Sequence, residues 1–88
     1  MLKISSHISW NPVAGELALF DDRDGRYHAL NGSAAAIWRA IADGLDGPAI
    51  VDALIANYDA PRETIAQAVQ TFVETALARG LLVRGSAA

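Results

Sequence analysis

The sequence predicts an α+β fold, with an N-terminal three-stranded antiparallel sheet followed by three helices. Two observations carry this. The first third of the chain reads as short apolar runs separated by turn signals such as Asp24-Gly25. The rest repeats apolar residues at helical spacing, divided by Gly and Pro. Strands segregated from helices in this way exclude a βαβ array.

The elements follow in order. Ile8-Ser9-Trp10-Asn11 reads as a strand that stops at Pro12, because the residue before proline is restricted and proline cannot donate. Glu16-Leu17-Ala18-Leu19-Phe20-Asp21 is the second strand, with Leu17 and Leu19 on one face. Asp22-Arg23-Asp24-Gly25 turns the chain, since an Asp-Gly pair tolerates positive φ. Arg26-Tyr27-His28-Ala29-Leu30 is the return strand.

Asn31 or Ser33 caps the first helix, which runs to about Asp43 and buries Ala34, Ile37, Trp38 and Ile41. Gly44 ends it. Asp46-Gly47-Pro48 opens the second helix, whose apolar face is Val51, Leu54, Ile55 and Tyr58. Asp59-Ala60-Pro61 opens a long third helix that ends near Arg79, with Gly80 as its stop. Its core stripe is Ile65, Val69, Phe72, Val73, Ala76 and Leu77. Leu81-Leu82-Val83 extends away as a short strand, and Gly85-Ser86-Ala87-Ala88 is expected to fray. Three helices beside a small sheet make a winged-helix-like plan.

Composition narrows the function. The 88 residues fit one domain over residues 1–88, with an ordered core at about 4–84. With no cysteine, disulfides, thiolate metal sites and a cysteine nucleophile are excluded. There is no signal-peptide pattern and no run near the roughly 20 apolar residues that span a bilayer, so a cytoplasmic protein without a membrane partner is expected. A net charge of −3 disfavours a phosphate-rich partner.

His7 and His28 have no metal-ligand spacing, and the Asp21, Asp22 and Asp24 turn lacks the closing glutamate of a calcium loop. Ser5, Ser6 and Ser33 have no base or oxyanion motif nearby. No catalytic residue, metal or cofactor is therefore expected. A DNA-binding winged helix is the main rival. The second helix carries no Lys or Arg, and the third has only Arg62 and Arg79, which argues against nucleic acid. A generic protein–protein adaptor is the other alternative.

Several features coincide in a familiar order: Asp-x-Asp-Gly, then Tyr27-His28-Ala29-Leu30-Asn31, a small-residue helix containing Ile37-Trp38, a Gly-Pro helix start, and the closing Arg79-Gly80-Leu81-Leu82. Over residues 8–83 the chain resembles the PqqD family, whose fold is also called the RiPP recognition element. The resemblance implies a non-catalytic peptide chaperone. Such proteins bind the leader segment of a ribosomally made precursor and deliver it to a leader protease, a cyclase or a radical modifying enzyme, as in lasso-peptide pathways. It also implies that the leader lies beside the third strand and against the third helix.

In this sequence those elements supply Arg26, Tyr27, His28, Ala29 and Leu30 on the strand. An edge strand offers unpaired backbone groups to an extended peptide, and flanking pockets supply selectivity. At 100° per residue, one flank of the helix stripe carries Arg62, Ala66, Gln70, Val73 and Leu77, next to Val69. This flank is expected to face the strand. Whether Tyr27 or His28 points at the peptide is open at this stage. The same edge could pair with its own copy, so a homodimer is a further expectation.

Overall fold

The computed structural model describes residues 2–85, and most of the expected frayed tail, residues 86–88, lies outside them. Eight elements run in the order β1 (Leu2–Ile4), β2 (Ile8–Val13), β3 (Glu16–Asp21), β4 (Arg26–Leu30), α1 (Gly32–Ala42), α2 (Gly47–Ile55), α3 (Arg62–Ala78) and β5 (Leu82–Arg84). β2, β3 and β4 form the expected antiparallel meander, in that spatial order. β1 and β5 form a separate antiparallel ribbon that joins the two ends of the chain, with Lys3 opposite Val83.

The inner face of the meander carries Leu17 and Leu19, both fully buried. They meet Ile37 and Trp38 of α1, Ile50 of α2, and Leu82 of β5 in one apolar core. The indole Nε1 of Trp38 is buried there without a hydrogen-bond partner. α1 packs on β3 and β1, and α3 packs on α2 and β5.

Four local expectations are corrected. β2 continues through Pro12 to Val13 and closes on β3 by a two-residue turn at Ala14 and Gly15, with φ of 50° and 84°. Both residues in the left-handed region suit a primed hairpin turn, which an Ala-Gly pair does not advertise. α2 ends at Ile55, so Tyr58 lies past the helix and is 39% exposed. The buried α2 residue in its place is Ile50. On α1, Ala35 is buried while Ala34 is only half-buried. Asn31 is the N-cap by backbone geometry, but its amide donates to Glu16 Oε2 at 3.3 Å and makes no cap bond.

Candidate functional site

The hydrogen-bond phase of the meander decides which backbone groups remain open. Residues of an antiparallel ladder alternate between bonding one neighbour and turning away. Asp22 N–H donates to the His7 carbonyl at 3.1 Å, continuing the series Val13↔Glu16, Asn11↔Ala18 and Ser9↔Phe20. On β3, therefore, Glu16, Ala18 and Phe20 bond β2, while Leu17, Leu19 and Asp21 turn to β4. Their partners on β4 are Leu30, His28 and Arg26. The main-chain groups of Tyr27 and Ala29 consequently point to the open side of β4.

The opposite edge of the sheet is different. On β2 the outward positions are Ile8, Trp10 and Pro12. Ile8 N–H is already bonded to the Ser5 carbonyl at 3.0 Å, and Pro12 has no N–H to offer. This explains why proline is tolerated inside β2: its missing donor faces away from the ladder. One edge is blunted, and the other is open.

Side chains alternate with the same period. Arg26, His28 and Leu30 share the inner face with Leu17 and Leu19. Tyr27 and Ala29 lie on the outer face, where Tyr27 is 74% exposed and its ring centroid is 4.8 Å from that of Phe20. His28, not Tyr27, therefore turns toward α3. Between β4 and α3 lies a cleft of about 350 Å³, lined by His28, Ala29 and Leu30 on one side and Phe72, Thr75 and Arg79 on the other. Ala34, Ala76 and Leu81 complete it.

The helix residues expected to face the strand lie along another cleft. Arg62, Ala66, Val69, Gln70 and Val73 line a different cleft, of about 590 Å³, shared with the start of α2 and with Leu2 and Arg84 of the end ribbon. Arg62 donates to Asp52 of α2 at 2.8 Å. Gln70 donates to Glu74 at 3.0 Å, and Leu77 packs half-buried against the core. A helical wheel gives a stripe two flanks but does not say which neighbour takes which. The short 56–61 connection lays α2 along the Arg62 flank, so the Phe72, Thr75 and Arg79 flank is the one that meets β4. The larger cleft is bordered by the two-stranded end ribbon, through Leu2 of β1 and Arg84 of β5, and not by the meander.

A buried polar cluster fixes the end of the cleft. Asp21 is 3% exposed and accepts the Arg23 backbone N–H at 3.0 Å and its guanidinium at 3.1 Å and 3.3 Å. The Arg23 side-chain hydrogen bonds hold the Asp21 carboxyl below its ordinary value of 3.8, against the opposing effect of burial. Ser5 Oγ donates to the Gly80 carbonyl at 2.7 Å, and His7 Nε2 donates to the same oxygen at 3.0 Å. Gly80 has φ of +76°, and a Cβ there would meet Arg23 Nη2 at 2.7 Å. The C-terminal end of α3 is thereby tied to the β1–β2 connection, with the Arg23 side chain of the β3–β4 hairpin beside it. Asp24 accepts the Arg26 N–H at 3.1 Å, so the acidic turn is largely engaged with its own arginines. Among the described residues, no three His, Cys, Asp or Glu side chains converge as metal ligands.

Fold and site define a small α+β protein that presents the open edge of its three-stranded meander beside a helix-walled cleft. The chain belongs to the PqqD family: the family model described as Coenzyme PQQ synthesis protein D matches residues 16–82. It is also similar to a solved structure described as TbiB1 in complex with the TbiA(beta) leader peptide. That similarity has 26% identity and a TM-score of 0.88, and it covers 96% of this chain and 98% of the other. A lasso peptide synthetase B1 complexed with the leader peptide superimposes with a TM-score of 0.87 over 94% of this chain and 98% of that one; its 23% identity speaks to fold alone. Among curated proteins none matches the chain.

Proposed function

We propose that this protein binds the leader segment of a ribosomally synthesised precursor peptide as a fourth strand on β4. It presents the leader to the enzymes that modify or process the precursor. One observation carries the reading: β4 is the sheet edge with open backbone groups, and it borders a helix-walled cleft of about 350 Å³. Backbone pairing gives affinity, and the cleft gives side-chain selectivity. The PqqD family membership and the leader-bound neighbour support the ligand class.

The role is that of a non-catalytic carrier acting as one cytoplasmic domain. Its clients are a leader protease and cyclase, or a radical enzyme. The β4 edge also suits pairing with a second copy, in which case leader and self-association compete. The test is a titration of ¹⁵N-labelled protein with a synthetic leader of the precursor encoded beside its gene. Shifts are expected at Tyr27, Ala29, Thr75 and Arg79. Shifts confined to Arg62, Ala66, Gln70 and Val73 would refute the placement.

A further inference from the structure

The two ends of the β4–α3 cleft differ in chemistry. The Arg23 guanidinium lies against Gly80, so the C-terminal end of α3 belongs to the hairpin end of β4. Arg79, Thr75 and His28 therefore gather at that end, while Leu30, Ala34 and Phe72 gather at the end where α1 begins. Arg79 is the C-cap of α3, a position where the helix terminus favours a cation. The other arginines around the hairpin are engaged, Arg23 with Asp21 and Arg26 with Asp24. Among the described residues Arg79 has no carboxylate within salt-bridge distance, and the cleft lining contains no Asp or Glu. A chain of net charge −3 thus places a lone arginine in its cleft.

The ladder phase sets the spacing of anything bound there. Peptide residues opposite Tyr27 and Ala29 exchange backbone bonds and turn their side chains outward. Those opposite His28 and Leu30 turn inward, two residues apart. Resting on the leader-binding reading, we propose that the cleft selects an extended peptide with an acidic side chain two residues from a bulky apolar one. Arg79 takes the carboxylate, and Leu30 with Phe72 takes the apolar side chain. If the peptide runs antiparallel to β4, the apolar residue comes first, because β4 itself runs from the hairpin end to the α1 end.

Display of random ten-residue peptides against the full chain tests this, with Arg79→Gln, Arg79→Glu and Ala29→Pro selected in parallel. The wild type should enrich Asp or Glu two positions from Leu, Ile, Phe or Tyr. Arg79→Gln should keep the apolar residue and lose the acid, and Arg79→Glu should replace the acid with Lys or Arg. For an enriched peptide, Asp→Asn or Glu→Gln should weaken binding to the wild type about tenfold, as expected for losing a charge-assisted hydrogen bond. Apolar enrichment without an acid, or the same acidic peptides on Arg79→Glu, overturns the proposal. If such apolar-only peptides are lost on Ala29→Pro, the strand-addition reading still stands. No enrichment on the wild type defeats both.

Discussion

Replacing Ala29 with proline separates binding from folding more cleanly than any other single change on β4. Ala29 is exposed, and its N–H points to the open edge, so proline removes a donor that the β3–β4 ladder does not use. The preceding residue, His28, is already extended, as proline requires. In the complex, the peptide carbonyl that would have accepted the Ala29 N–H is left unpaired. That costs about 1–3 kcal/mol, or roughly five- to 150-fold in Kd.

The cost to the free protein should be small, with Tm within a few degrees of wild type, since about 1 kcal/mol corresponds to about 4–8 °C in a domain this size. His28→Pro is the contrasting variant: it removes a ladder donor and should cost about 3 kcal/mol of stability. Ala66→Arg, in the other cleft, should leave the affinity unchanged. Fluorescence anisotropy with a labelled leader, paired with thermal melts, reads all three. A folded Ala29→Pro protein that binds the leader as well as wild type would refute strand addition at β4. Loss of binding in Ala66→Arg would restore the Arg62 flank as the site.

Other consequences concern the scaffold. Leu19 is fully buried on the inner face, and Leu19→Ala should destabilise by about 2–5 kcal/mol in denaturant unfolding. Ala14 holds φ of 50°, which costs a residue with a Cβ about 1 kcal/mol; Ala14→Asn should raise Tm by a few degrees. The Asp21 carboxyl titrates below its ordinary value of 3.8, so in acid the unfolded chain takes up its proton first. Stability from this group is complete above that value and declines as pH falls through the folded pKa. Asp21→Asn should lower Tm at neutral pH and flatten its dependence across the acid range, as followed by circular dichroism.

Much of the fold was legible because its signals are local. Asp24-Gly25 announced the hairpin, and Gly25 has φ of +69°. The bounds of β3 and β4 were as expected, and Ile37, Trp38, Ile65 and Val69 are buried as their spacing implies. What escaped notice depends on distant partners. Leu2-Lys3-Ile4 is too short to show a period and becomes a strand only because Leu82–Arg84 lies beside it. Pro12 read as a strand end, because a sequence does not say which way an N–H faces. The strand half of the proposed site follows from the turn and the resemblance. The helix half of the proposed site does not, since choosing between the Arg62 and Phe72 flanks requires knowing where α2 lies. Phe72 was the available clue, a large apolar residue at the border of the stripe on the flank that α2 leaves free.

Pro12 also limits growth. Two chains meeting β4 to β4 would form one six-stranded sheet, and both of its outer borders would then be β2. Each border carries a proline and an Ile8 amide already committed to Ser5, so neither is a template for a third chain. Self-association through this sheet would close at two copies and would not propagate into a fibre.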